Sequence, residues 1–128
     1  MADKKLRVAL LGRFYTGGEE KETIPAQKEK LRAEAKKRSY VVIDEFWEDD
    51  VSPDASLDDR PEFKRFLTSV WNNELNIEGL FVPEISDLGG ANRKERVTIM
   101  MCFEENNIDI ITYDEIYSPE FWISGLSL

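Results

Sequence analysis

The 128-residue sequence contains no histidine and a single cysteine. Without histidine, Ser-His-Asp and Cys-His catalysis and every histidine-based metal site are excluded. One thiol, Cys102, cannot close an internal disulfide, which fits a reducing cytoplasm. The N-terminal MADKKLRV has no apolar core of the secretory kind, and no hydrophobic run approaches membrane-spanning length. Positive charge is also short: 17 Lys and Arg face 26 Asp and Glu, a formal net charge of −9. A field of that sign repels polyanions, so nucleic acid held by this chain alone needs a local basic patch working against it. The chemistry left to the side chains belongs to Arg, Lys, Tyr, Ser, Thr, Cys and carboxylates.

What is present is an alternation of short apolar runs with amphipathic stretches, the pattern of α/β layering in one domain spanning 1–128. LRVALLG, 6–12, reads as the first strand. A helix follows to about Arg38, with Thr23 at its N-cap, Pro25 in its first turn and Ile24, Leu31 and Ala35 near one face. YVVIDEF, 40–46, is the second strand, and an acidic loop runs on from it. Asp59 is placed to cap the next helix, where Phe63, Phe66, Leu67, Val70 and Trp71 form a core-facing stripe. IEGLFVPEI, 77–85, is a third strand that Pro83 ends or bulges. A third helix over about 91–106 is expected to turn Val97, Met100, Met101 and Cys102 inward. IDIITYD, 108–114, is a fourth strand, and the tail that contains Trp122 is ambiguous. Crossovers of these lengths require a mainly parallel sheet with right-handed connections; the alternation predicts four or five strands in three layers, with the first strand central and helices on both faces. Ligands of such sheets sit beyond the carboxyl ends of the strands. That edge collects Arg13–Gly18, Glu45–Asp59, Pro83–Gly90 and Asp114–Pro119.

The loop GRFYTGGEE, 12–20, stands where α/β proteins hold phosphates. A nucleotide-binding G-x-x-x-x-G-K-S/T loop fails here, because two acids occupy the places of the lysine and the hydroxyl. A dinucleotide G-x-G-x-x-G is absent, and the first strand ends in Gly-Arg-Phe rather than in clustered aspartates. The acidic run Glu48, Asp49, Asp50, Asp54, Asp58 and Asp59 has oxygens suited to Mg²⁺, but such runs are usually solvated surface. Cys102, beside Met100, Met101 and Phe103, reads as a small buried hydrophobe rather than a nucleophile. No cofactor and no metal are expected.

Four segments, in order, resemble the catalytic domain of the serine recombinases: resolvases, DNA invertases and serine integrases. RVALLGRFYT stands where that family has a strand ending in Arg-x-Ser-Thr. TIPAQKEKLRAEAKKRSYVVIDEFWEDD is similar to its S-I-x-x-Q helix start and following strand. VSPDASLDDRPEFKRFL is similar to its S-G-x-S-x-x-x-R-P-x-x-x-x-L stretch, and the segment from Ile77 to Glu115 lies on the part that includes D-R-L-x-R. The likeness covers residue 6 to about 117.

The resemblance implies a metal-free reaction. A serine hydroxyl attacks a DNA phosphodiester, a 5′-phosphoserine link forms, a 3′-hydroxyl leaves, and several arginines stabilise the charge. Carried over by position, Arg13 and Arg60 match two family arginines, while the nucleophilic serine falls on Tyr15 with Thr16 beside it. The motif aspartate falls on Ser86 and its two arginines on Asp87 and Gly90. Arg93, with Lys94 and Arg96, offers a basic cluster next to the lost cations, though salt bridging on a helix face with Glu95 explains it as well. Removing one well-placed stabilising group from such a site costs about 3–4 kcal/mol, so the two lost cations are expected to abolish efficient cleavage. Tyr15 carries a phenol of pKa about 10 that reaches further than serine, which mis-registers it in a site shaped for serine. The bland reading of Arg13 and Arg60 is an ordinary ion pair, for example with Asp59 or Glu48. The functional readings are a divergent recombinase catalytic domain without strand-exchange activity, a non-enzymatic module that dimerises or docks on a recombinase, or an anion- or nucleotide-binding α/β domain using Arg13, Gly17 and Gly18. DNA is the partner the family implies, weakly or not at all for this chain alone, together with a second copy or a recombinase. No DNA-recognition module is expected within 1–128, nor any membrane association.

Overall fold

The computed structural model describes residues 5–17, 22–52, 54–89 and 92–119. Five strands form one sheet in the order β2-β1-β3-β4-β5. They are β1 Arg7–Arg13, β2 Val41–Glu48, β3 Gly79–Phe81, β4 Asp109–Ile111 and β5 Ile116–Tyr117. The first four are mutually parallel and β5 is antiparallel to β4. Three helices connect the parallel strands: α1 Ile24–Lys37, α2 Pro61–Trp71 and α3 Arg93–Glu105.

Alternation along β1 explains the layering. Val8 and Leu10 join Leu31 and Ala35 of α1 in one core. Ala9 and Leu11 point the other way, into a larger core with α2 and α3. In α2, Phe63, Phe66, Leu67 and Val70 are buried, each burial stabilising by about 1.5–3 kcal/mol. The chain steps from β1 outward to β2, then crosses back to β3 and proceeds to β4 on the far side. The direction therefore reverses between the adjacent strands β1 and β3, which opens a crevice at their carboxyl ends.

Several expectations need correction. Asp59 does not cap α2; it ends a short 3₁₀ turn, Leu57–Asp59, and Arg60 takes the N-cap position. Lys64 N–H donates to the Arg60 carbonyl at 2.9 Å, so the helix begins one residue later than the capping signal indicated. Trp71 is 45 % exposed, because the stripe is centred on Phe63, Phe66 and Val70 and leaves it at the rim. Met101 is 47 % exposed; α3 buries Ile99, Met100, Cys102 and Phe103 instead, and Val97 is half-buried. β2 extends two residues further than read, to Glu48, whereas β3 and β4 have three residues each. Thr23 holds the N-cap of α1, but its side chain makes no capping bond. β5 falls in the stretch left unassigned. Trp122 and the rest of 120–128 lie outside the described residues.

Candidate active site

The crevice between the carboxyl ends of β1 and β3 is filled by two guanidiniums and two carboxylates. Arg13, the last residue of β1, is 2 % exposed. Its Nη1 donates to the Val51 carbonyl at 3.0 Å and its Nη2 to Oδ1 of Asp87 at 3.4 Å. Its own carbonyl accepts from Nε2 of Gln27 at 2.8 Å, which ties the strand end to the first turns of α1.

Arg60, at the entrance to α2, is 1 % exposed. Its Nε and Nη2 donate to Oε1 of Glu48 at 2.9 and 2.7 Å, and the second carboxylate oxygen of Glu48 accepts from Phe63 N–H at 3.3 Å. Its Nη1 donates to the Leu88 carbonyl and its Nη2 also to the Asp87 carbonyl, both at 2.8 Å. The guanidinium stacks over Phe63, 4.7 Å from the ring centre. Burial lowers the Arg60 pKa from its ordinary value; the Glu48 carboxylate opposes this, nearby Arg13 adds to it, and Asp87 opposes it again. A guanidinium stays charged throughout.

Asp87 closes the arrangement. It lies in a 3₁₀ turn, Ile85–Leu88, and is fully buried. Its Oδ2 accepts from Glu84 N–H at 3.2 Å in a reciprocal capping box. The same residue therefore offers its carboxylate to Arg13 and its carbonyl to Arg60.

The structure thus brings Arg13, Arg60 and Asp87 together. Tyr15 is half-buried with its ring against Gly17 of its own loop, where a methyl group on Gly17 would overlap the phenol. Thr16 is exposed and donates its hydroxyl to Oδ1 of Asp50 at 2.7 Å. Ser86 is exposed, and its hydroxyl donates to Oε2 of Glu84 at 3.4 Å. Arg93 is exposed on the first turn of α3. Gly90 and Gly18 lie outside the described residues. Of the two acids weighed as partners for the arginines, Glu48 pairs with Arg60, while Asp59 is exposed and accepts from the Ser56 hydroxyl.

Two contributors had weaker sequence signals than the arginines. Glu48 was weighed only as one of two ion-pair partners, although its two-residue spacing from buried Phe46 puts both on the α2 side of β2. Gln27 lies on the buried stripe of α1, where a polar residue flags a bond to be made. Among the described residues, no group of three or more Cys, Asp or Glu could hold a metal ion. Cys102 is buried and its thiol is pushed up to about 12 by burial, then by Glu105, so it is no nucleophile at neutral pH. No helix among the described residues is long and apolar enough to cross a membrane.

Comparison with known proteins places this geometry in context. The family model described as "Resolvase, N terminal domain" matches residues 9–121. The fold is similar to the N-terminal catalytic domain of TP901-1 integrase, with a TM-score of 0.73 and 23% identity, covering 94% of this chain and 91% of that one. It is also similar to a resolvase family site-specific recombinase from Streptococcus pneumoniae, with a TM-score of 0.70 and 18% identity, covering 96% and 84%. No curated protein sequence matches.

Proposed function

The chain belongs to the resolvase N-terminal domain family, and from that premise we propose that it is a serine-recombinase-type catalytic domain that has kept the fold and lost DNA cleavage. The observation that carries this reading is the commitment of Arg13 and Arg60 to Asp87 and Glu48 inside the protein. Phosphoryl transfer depends on cations aimed at the charge that develops on the phosphorus oxygens. Here Asp87 brings a carboxylate into contact with Arg13, so a phosphate entering that place meets a like charge. The phenol at the nucleophile's position lies against Gly17 of its own loop.

In this reading residues 1–128 form one catalytic-type domain in the cytoplasm, and any DNA recognition is supplied from outside it. The domain acts through association with a second copy or with an active recombinase. The experiment is incubation of the protein with duplex and with nicked suicide substrates, followed by denaturing electrophoresis and mass spectrometry. No covalent protein–DNA adduct is expected. An adduct that maps to Tyr15 and disappears in Tyr15→Phe overturns the reading and makes this a recombinase-fold enzyme with a changed nucleophile.

A further inference from the structure

β2 is the longest strand of the sheet and, among the described residues, has a neighbouring strand on one side only. An unpaired edge of eight residues is an open template for another strand. Two apolar side chains on it, Val41 and Ile43, are 39 % and 43 % exposed. Val8 pairs with Val42 and Ala9 with Asp44, so Ile43 has no partner on β1 and the strand bulges there. Beyond the bulge the backbone alternates again. The Glu48 carbonyl accepts from Phe14 N–H at 2.9 Å on the β1 side, which turns the N–H and C=O of Glu45, three residues earlier, to the free edge.

Both of those outward groups are already taken by side chains. Glu45 N–H donates to Oδ1 of Asp44 at 2.7 Å, and the Glu45 carbonyl accepts from Nη2 of Arg65 at 3.2 Å. Nη1 of Arg65 in turn donates to Oδ2 of Asp44 at 3.2 Å, which closes the ring. One acceptor and one donor set against a single residue's N–H and C=O is what a residue of an antiparallel neighbour would present. The guanidinium is held from behind. It stacks on the Phe46 ring, 4.1 Å from its centre, and donates from Nε and Nη2 to Glu62, three residues earlier on α2, at 3.2 and 3.0 Å. From the other layer, Nε of Arg32 donates to both carboxylate oxygens of Glu45 at 3.0 Å, so α1 and α2 clasp this residue together.

We propose that Asp44 and Arg65 act as a side-chain substitute for a strand beyond β2, and that this contact keeps β2 from pairing with β2 of a second copy. Identical edges that meet about a two-fold axis run antiparallel, and a ladder across this point needs the Glu45 backbone groups that the two side chains occupy. An incoming strand must displace Asp44 from the N–H and Arg65 from the carbonyl together. The bulge at Ile43 denies it a regular approach from one end. Any association of the domain with a second copy is thereby directed to surfaces other than this edge. The contact involves neither Arg13 nor Arg60, and it stands whether or not the domain cleaves DNA.

The test compares the full wild-type chain with Asp44→Ala/Arg65→Ala by sedimentation equilibrium over a wide concentration range, with amide hydrogen exchange followed by NMR. The double variant is expected to self-associate at least tenfold more tightly than the wild type, and its Glu45 amide to gain protection as concentration rises. In dilute solution, where no second copy covers the edge, the same amide should exchange at least tenfold faster than in the wild type. Adding Ile43→Lys, a charge on the exposed bulge, should return the double variant to wild-type association. If the double variant fails to fold, Arg65→Ala alone carries the association test, because that side chain is 44 % exposed. Three results overturn the proposal: association no tighter than in the wild type, tighter association that Ile43→Lys leaves untouched, or a Glu45 amide in the dilute double variant that exchanges at the wild-type rate.

Discussion

Arg60 grips a single oxygen of Glu48 through both Nε and Nη2, at 2.9 and 2.7 Å, with both side chains at most 2 % exposed. Two charges this deep have lost their hydration, so each is tolerated only because of the other and of the backbone carbonyls around them. The pair also fixes where α2 starts, since the second oxygen of Glu48 holds Phe63 N–H. A pair at the carboxyl edge of the sheet is thus at the same time a structural joint between β2 and α2.

Removing one partner should be far costlier than removing both. Glu48→Ala is expected to destabilise by about 3–5 kcal/mol in urea unfolding, because it strands a buried guanidinium. Glu48→Leu combined with Arg60→Met should recover most of that loss. If the double variant instead shows the sum of the two single losses, the charges are not coupled and this account of the joint is wrong.

Gly12 is the tightest steric point of the sheet's upper end. A Cβ there would lie 2.5 Å from Oε1 of Gln27 and 2.6 Å from the Trp47 ring. Both neighbours are engaged: Gln27 through the Arg13 carbonyl, and Trp47 through Nε1 to Oε1 of Glu45 at 2.9 Å. Gly12→Ala should cost about 1–3 kcal/mol by overpacking, lower Tm, and reduce the near-ultraviolet signal of Trp47. A wild-type Tm would show that the strand end yields easily.

The parts of the fold legible in the sequence were those with a complete period. β1, α1 and the core stripe of α2 follow from apolar residues recurring at two- and four-residue spacings. The run 77–85 was overextended because apolarity reports burial rather than pairing: Ile77 and Val82 are in the core, yet the ladder occupies only Gly79–Phe81. β5 has two residues, too few to show any period. In the site, Arg13 is legible from its place at the carboxyl end of the first strand, whereas Arg60 is reached through the resemblance to recombinases. Glu48 had a periodic signal. Asp87 had none as a partner of Arg13, because the two are 74 residues apart and meet only through the β1–β3 adjacency.

Cys102 provides a pH test of the core. Its thiol is pushed up from 9.0 to about 12, so between those values the unfolded chain releases a proton that the native chain retains. The stabilising effect is complete below pH 9 and is lost as pH rises toward 12. Unfolding free energy should therefore fall across that window, and the fall should be shallower in Cys102→Ala, measured as urea midpoints at successive pH values. Thiol reagents should label the wild type only after unfolding. Rapid labelling of the native protein at pH 8 would contradict the burial on which this rests.

The last expectation concerns whether the nucleophile alone limits the chemistry. Tyr15→Ser restores the family's hydroxyl at that position, yet it leaves Arg13 facing Asp87 and Arg60 facing Glu48. It should remain without adducts on suicide substrates, even when fused to a DNA-recognition module that offsets the net charge. Asp87→Asn tests the cause directly. Loss of the buried charge should destabilise the fold by about 3–5 kcal/mol, and inorganic phosphate should then raise its Tm more than that of the wild type, because the uncompensated charge of Arg13 draws an external anion. Tyr15→Ser with Asp87→Arg and Gly90→Arg returns both lost cations, but position 87 is fully buried, so a larger guanidinium there must first displace its surroundings. Any phosphoserine link should therefore appear only in the triple variant fused to such a module, and with a lowered Tm. A phosphoserine adduct from Tyr15→Ser alone would show that the carboxylate beside Arg13 does not obstruct the phosphate, and that the change from serine to tyrosine was the whole of the loss.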